Sequence, residues 1–428
     1  MVQIGSTVPP GTTVPPGTTV PPGTTVPQFT LIRAWQSPAI AHSVEEMLRA
    51  SFPEYQIEVV DIAELLKRRW DILAMNLWQV VKEYRLRAFQ GWGEAKAEQQ
   101  FRLCFWRTPY IFRKIKTLVA QRLRFVGRNA FSFQLQSLFD ASVNGVPHFV
   151  YTDHTHLANL YYPGFDASRL YSPAWIECEK TIYHNARLVF TRSTNISRSV
   201  VEQYGCERQK VICVYAGSNT PLDAVDERGT VVPTRGNPAG QNILFVGVDW
   251  ERKCGPDLIE AFEKISNSYP DATLTIVGCK PNISLPRCKS ALLFPEPLFR
   301  PELMFRVIGR VPVEAVNQYY AAASIFCMPT HHEPFGIAFI EALSHALPIV
   351  ATDIGAIPDF VVPGKNGYLV RPGDVTALAG ALSDLLGNPQ RCRDFGAASY
   401  QIAKDRYTWE KVGAAIREHV LATLSATG

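Results

Sequence analysis

From about residue 29 onward, short apolar runs alternate with longer segments in which apolar residues recur every three or four positions. Phe29-Thr-Leu-Ile reads as a strand, Ser43-Val-Glu-Glu-Met-Leu-Arg as a helix and Tyr55-Gln-Ile-Glu-Val-Val as the next strand. Val146–Tyr151 and Ala186–Thr191 are further apolar strands, followed by a helix over Ile196–Tyr204 and a strand over Val211–Tyr215. The alternation resumes with a strand at 242–246, a helix at 256–268, strands at 273–277 and near 305–308, and a helix at 313–322. A strand at 325–328, a helix opening at Gly336 and a strand at 348–351 continue it. Helices at 375–386 and 389–404 precede a last helix that begins at Tyr407-Thr-Trp409. Strands alternating with helices predict α/β architecture with parallel sheets covered on both faces.

A chain of 428 residues is too long for one core and suits two domains. The Gly- and Pro-rich run RGTVVPTRGNPAG over 228–240 reads as the connection between them. The expected organisation is a tail over 1–28, a first domain over 29–228, a linker over 229–240, a second domain over 241–406 and a terminal helix over 407–428. VPPGTT occurs three times in succession over residues 8–25. Proline favours polyproline II there, and the intervening residues offer nothing to pack, so the tail is expected to be disordered.

Composition narrows the function classes. The formal net charge of +4 gives no general case for nucleic acid. Nine cysteines without any Cys-x2-Cys pair indicate neither a zinc cage nor a disulfide scaffold, and buried thiols in a cytoplasmic protein are expected. No run of about eighteen apolar residues is present, so no membrane span is expected. The stretch Trp106–Arg128 carries seven basic and no acidic residues. Ile111, Ile115, Leu118 and Leu123 line one helical face of it. Three readings stay open: a core-facing helix with a solvated basic side, peripheral contact of 107–128 with an anionic inner membrane surface, and a grip on an anionic acceptor.

Candidate chemistry concentrates in Glu333-Pro-Phe335-Gly336-Ile337-Ala-Phe-Ile-Glu341. A helix starting near Gly336 presents unpartnered backbone N–H groups to a phosphate or a sugar hydroxyl. Glu341 falls two turns into that helix, and an ionised carboxylate accepts from paired hydroxyls such as those of a ribose. Val146–Tyr151 delivers Thr152-Asp153-His154-Thr155-His156 at its carboxyl end, where open α/β sheets bind ligands.

The segment resembles the glutamate-x7-glutamate motif of retaining glycosyltransferase family 4, which has the GT-B fold. His331-His332-Glu333-Pro334-Phe335-Gly336, Glu341-Ala342-Leu343, the run from Pro348 through Asp353, Gly355 and Pro358 to Asp359, and Gly364-Lys-Asn-Gly367 extend the likeness. So does Phe245-Val-Gly247-Val-Asp-Trp250-Glu-Arg252-Lys253-Cys-Gly255, which is similar to the family's phosphate loop. The resemblance is strong over about 240–410 and weak before 140. Arg33–Ile40 also lacks the glycines common after the family's first strand.

The resemblance implies two Rossmann-like domains facing a central cleft, with the last helix returning to the first domain. It implies transfer of a sugar from a UDP- or GDP-sugar to a hydroxyl of a sugar, polysaccharide or lipid-linked acceptor, with retained configuration. His154, Lys253 and Glu333 are the expected catalytic residues, with His154 preferred over His156. Arg252, Lys253, Arg310, Glu333, Phe335, Gly336, Ile337 and Glu341 are expected to bind the donor. Glu333 and Glu341, roughly 12 Å apart along a helix, cannot flank one bond as glycosidase carboxylates do. No Asp-x-Asp motif occurs, and no metal or other cofactor is expected. A non-catalytic nucleotide-sugar-binding protein and another GT-B enzyme, an epimerase or a phosphorylase, remain the alternatives.

Overall fold

The computed structural model describes residues 26–34, 38–89, 97–125, 129–220, 222–225, 231–233, 235–280, 299–300 and 305–426. The VPPGTT repeats lie outside them, and Gln28, assigned to the tail above, already belongs to the first strand.

The described strands form two large sheets. The first has the order β2 (Gln56–Asp61), β1 (Gln28–Arg33), β3 (Asn129–Leu135), β4 (His148–Thr152), β5 (Leu188–Thr191) and β6 (Val211–Cys213), all parallel. A small antiparallel ribbon pairs β7 (Asp223–Val225), at the end of the segment read as first domain, with β8 (Val231–Pro233) in the segment read as linker. The second sheet contains β9 (Asn242–Val246), β10 (Thr273–Val277), β11 (Phe299–Arg300), β12 (Phe305–Gly309), β13 (Ile325–Met328), β14 (Ile349–Thr352) and β15 (Gly367–Val370). Its spatial order is β11-β12-β10-β9-β13-β14-β15, and only β11 runs antiparallel to its neighbour. Strands β4, β13 and β14 are buried at every position, which is why their sequences are dominated by apolar residues.

Strand β3 is a departure from the sequence reading. Its Ser132 and Gln134 are fully buried and spoil the apolar pattern. Both are satisfied internally: Ser132 Oγ meets His148 Nδ1 at 2.8 Å, and Gln134 Nε2 donates to the Phe139 carbonyl at 2.6 Å.

The basic stretch forms the helix Pro109–Phe125, which turns Ile111, Phe112, Ile115, Val119 and Leu123 into the core. On its other side Lys116 pairs with Asp140, and Arg122 pairs with Glu58 at 2.6 Å. No described helix is long and apolar enough to cross a membrane.

The helix Trp409–Ser425 packs Val412, Ile416 and Val420 into the first domain's core beside Val44, Met47 and Leu48 of the helix Pro38–Ser51. The chain therefore passes between domains twice. The two passages touch: Ser218 N donates to the Tyr407 carbonyl at 2.7 Å, and Trp409 Nε1 reaches Asn219 Oδ1 at 3.4 Å. A third contact joins the domains on the cleft side. The Asp359 carboxylate accepts from Thr194 N at 2.8 Å and Thr194 Oγ1 at 2.6 Å, capping the helix Thr194–Glu202.

Candidate active site

In the second sheet the strand order reverses around β9, with β10 on one side and β13 on the other. The crevice beyond the carboxyl ends of such strands is where open α/β sheets hold ligands. Two loops meet there, one after β9 and one after β13, and the backbone of Arg252 joins them. Its carbonyl accepts from His331 N at 3.3 Å and Thr330 Oγ1 at 3.1 Å, while its guanidinium donates to the His332 carbonyl at 2.7 Å. Asp249 pairs with the same guanidinium at 3.1 Å. Held this way, the loops bring Lys253 Nζ against the Glu333 carboxylate. Both residues are buried, at 8% and 5% exposure. Burial lowers the Lys253 pKa, and the neighbouring Glu333 charge opposes that shift.

Two glycines permit the turn at Glu333. Gly336 adopts φ +86° as the cap of the helix Ile337–Ser344, a left-handed conformation that glycine takes without strain. Gly355, at φ +55°, passes so close that a Cβ there would lie 2.3 Å from the Glu333 carbonyl oxygen. Glu341, further along the helix, accepts from Tyr320 Oη at 2.9 Å, and burial pushes its pKa up to about 7.

The opposing lip belongs to the first domain. Asn159 Nδ2 donates to the His156 carbonyl at 2.7 Å, which fixes the orientation of the amide. The same Nδ2 faces His154 Nε2 at 3.3 Å, and Oδ1 faces His332 Nε2 of the second domain at 2.9 Å. The amide nitrogen can only donate and its oxygen only accept. His154 Nε2 therefore accepts and its Nδ1 carries the proton, whereas His332 carries its proton on Nε2. Each Nδ1 is buried without a partner among the described residues. Burial lowers the pKa of His154 to about 4 and that of His332 to about 3, so both rings are neutral near pH 7. The first-domain ring thus keeps an unpartnered N–H donor and the second-domain ring an unpartnered lone pair. The Tyr162 ring lies tilted against that of His332, 4.1 Å between ring centres, and its Oη has no hydrogen-bond partner among the described residues.

The structure brings His154, Arg252, Lys253, Glu333, Gly336 and His332 to this cleft. His156 turns away, its Nε2 accepting from Tyr171 N at 2.8 Å. Ile337 opens the helix, and Phe335 is buried beneath the Arg192 guanidinium at 5.9 Å. Arg310 is exposed just beyond β12. Asn159, Tyr162 and the specific role of His332 carried no signal in the sequence beyond His332's adjacency to Glu333. Among the described residues, Cys254, Asp257 and His331 form a group able to hold a metal ion, with ligand atoms within 4.8 Å of one another.

Residues 240–388 match the family model for Glycosyl transferases group 1. The chain is 33% identical over 176 residues to a GDP-mannose-dependent alpha-(1-6)-phosphatidylinositol monomannoside mannosyltransferase of Mycolicibacterium smegmatis, covering 39% of this chain and 44% of that one. It is 29% identical over 242 residues to a D-inositol 3-phosphate glycosyltransferase of Corynebacterium urealyticum, covering 54% and 56%. The chain thus spans about half the length of the curated relatives it matches. Among solved structures, sucrose-phosphate synthase from Thermosynechococcus elongatus superposes with a TM-score of 0.61 at 16% identity, over 94% of this chain and all (100%) of that one. Anabaena Alr3699/HepE in complex with UDP superposes with a TM-score of 0.59 at 13% identity, over 92% and 100%. Over residues 240–388 the chain is similar to the group 1 glycosyltransferases, and its two domains have the GT-B fold.

Proposed function

We propose that the protein is a retaining, family 4-like hexosyltransferase that moves a sugar from a UDP- or GDP-sugar to a hydroxyl of a sugar, polysaccharide or lipid-linked acceptor. The observation that carries this reading is the buried Lys253–Glu333 pair at the switch point, facing the His154–Asn159–His332 group across the cleft. The GDP-mannose dependence of one relative and the UDP held by one structural neighbour support a nucleotide-sugar donor.

In this reading the diphosphate lies over Lys253 and the N–H groups of the helix after Gly336. Arg252, Arg310, Phe335 and Ile337 complete the donor side, and Glu341 accepts from the ribose. Glu333 releases Lys253 to the diphosphate and takes up hydroxyls of the donor sugar. The bond from the anomeric carbon to the β-phosphate oxygen breaks, and the acceptor oxygen bonds to the same face. The acceptor proton passes to the departing phosphate, so charge balances without a protein base. Charge grows on the leaving group, where Lys253 and fixed backbone dipoles stabilise it most. The neutral Nδ1–H of His154 donates to a hydroxyl near the reaction centre. No metal enters this scheme.

Nucleotide sugars offered with an acceptor extract, with product mass analysis, identify the substrates. NMR of early product is then expected to show the donor's anomeric configuration, with undiminished rate in EDTA. Inversion would overturn the family 4 assignment. Loss of activity in EDTA, restored by magnesium or manganese, would overturn the metal-free mechanism. Nucleotide-sugar binding with no transfer to any acceptor would favour a non-catalytic binding protein.

A further inference from the structure

A cavity of about 340 Å³ opens beside His154 on the first-domain lip. That is within the usual size range for small-molecule sites. Its polar lining has a surplus of donors. Two carboxylates border it, and both are engaged. Asp153 pairs with Arg192 at 3.4 Å. Glu179 accepts from His156 N at 3.0 Å, from Tyr183 Oη at 3.1 Å and from Tyr204 Oη.

The cations and neutral donors in the same wall are not engaged in this way. Neither Arg107 nor Arg169 forms an ion pair among the described residues. Trp175, 1% exposed, leaves Nε1–H without a hydrogen-bond partner, and so does His154 at Nδ1. Arg107 is held rather than loose: its guanidinium lies over Tyr171 at 4.7 Å and Trp175 at 5.9 Å, and it donates to the Leu103 carbonyl at 3.0 Å. The turn that carries Arg169 is pinned by Arg87, which donates to the Leu170 carbonyl at 3.0 Å. A planar guanidinium fixed on aromatic rings, next to unpartnered N–H groups, suits a phosphate or carboxylate oxygen pair.

We infer that this cavity receives the charged end of an anionic acceptor, a sugar or polyol bearing a phosphate or carboxylate, with Arg107 and Arg169 as its charge partners. An acceptor anchored there presents a hydroxyl toward His154, which Asn159 links to His332 and the donor side. The inference rests on the transferase reading and adds the acceptor's chemical class. It also gives Arg107, the first basic residue of the Trp106–Arg128 stretch, a task apart from the ion-paired helix that follows it.

Calorimetric titration with inorganic phosphate, glucose 6-phosphate and glucose tests it on the full chain. Glucose 6-phosphate is expected to bind at least about tenfold tighter than glucose, and Arg169→Ala and Arg107→Gln each to lose about tenfold, as for one charged hydrogen bond. Arg107→Lys is expected to recover part of the loss, and nucleotide affinity is expected to stay unchanged in all three, which reports folding. Vesicles of phosphatidylinositol in phosphatidylcholine distinguish a lipid headgroup from a soluble phosphate, since binding lost in the same variants assigns whichever source shows it. Equal affinity for glucose and glucose 6-phosphate, or phosphate binding untouched by the arginine changes, would sink the proposal. Phosphate binding at the arginines without turnover of any nucleotide sugar would uphold the anion site and overturn the transferase reading instead.

Discussion

The two lips of the cleft treat their polar groups in opposite ways. On the second-domain side two groups of opposite charge type, Lys253 and Glu333, are buried against each other. On the first-domain side His154 and His156 are neutral, and direction rather than charge is fixed, through the Asn159 amide. A buried ion pair is expensive to separate unless a ligand replaces both partners. In the proposed reading, this lip exchanges its internal pair for a ligand with its own charge. In the same reading, the His154 side orients a hydroxyl.

Removing one member of the pair breaks this contrast most severely. Lys253→Ala is expected to lower turnover by two to three decades, about 2.7–4 kcal/mol by analogy with one lost oxyanion donor, and to affect donor affinity less. Steady-state kinetics of the folded variant decide it, and near-normal turnover removes Lys253 from the chemical step.

Glu341 tests the donor lip away from the chemistry. Glu341→Ala is expected to weaken donor binding by about 1.5–3 kcal/mol if the carboxylate meets the ribose directly, read by calorimetry. Glu341→Gln keeps an acceptor for Tyr320 and isolates the charge. Because burial raises the folded-state pKa from 4.5 to about 7, the folded chain keeps that proton while the unfolded chain loses it. Wild-type stability from this group thus falls as pH rises through 4.5–7. The melting temperature of Glu341→Gln relative to wild type is expected to climb across that window, and a flat difference would mean the carboxyl is not held protonated.

On the opposite lip, Asn159→Ala frees both histidine tautomers. Turnover is expected to fall about tenfold, the worth of one directed hydrogen bond, with nucleotide affinity unchanged. A parallel loss of nucleotide affinity would make Asn159 a structural link rather than a positioning residue. The smallest effect is expected at the inter-domain cap: Asp359→Ala is expected to lose about 0.5–2 kcal/mol of stability in thermal unfolding.

The same contrast governs what the sequence disclosed. Strand β10 and the helices Val313–Ala322 and Val375–Leu386 lie where their apolar spacing places them, because a parallel sheet buries whole runs. Lys253 and Glu333 sit at loop ends whose neighbours are distinctive. In the first domain the helices Trp70–Tyr84 and Ala97–Phe105 and strand β3 escaped the reading. Strand β3 hides behind buried Ser132 and Gln134, whose partners His148 and Phe139 have to be in place before a polar core position makes sense. Asn159 escaped for a related reason: its function lies in three hydrogen bonds, one of them to a residue 173 positions away. His332 was visible as a neighbour of Glu333, but its proton position follows only from that distant amide.

The adjacent chain passages at Ser218 and Tyr407 have a mechanical consequence. Two covalent connections that lie side by side, bonded to each other at 2.7 Å, act as the paired pins of a door hinge. Such a joint resists sliding and twisting of one domain across the other but allows swinging about the line through the pins. Any separation of the domains about that line would have to break the Asp359–Thr194 hydrogen bonds.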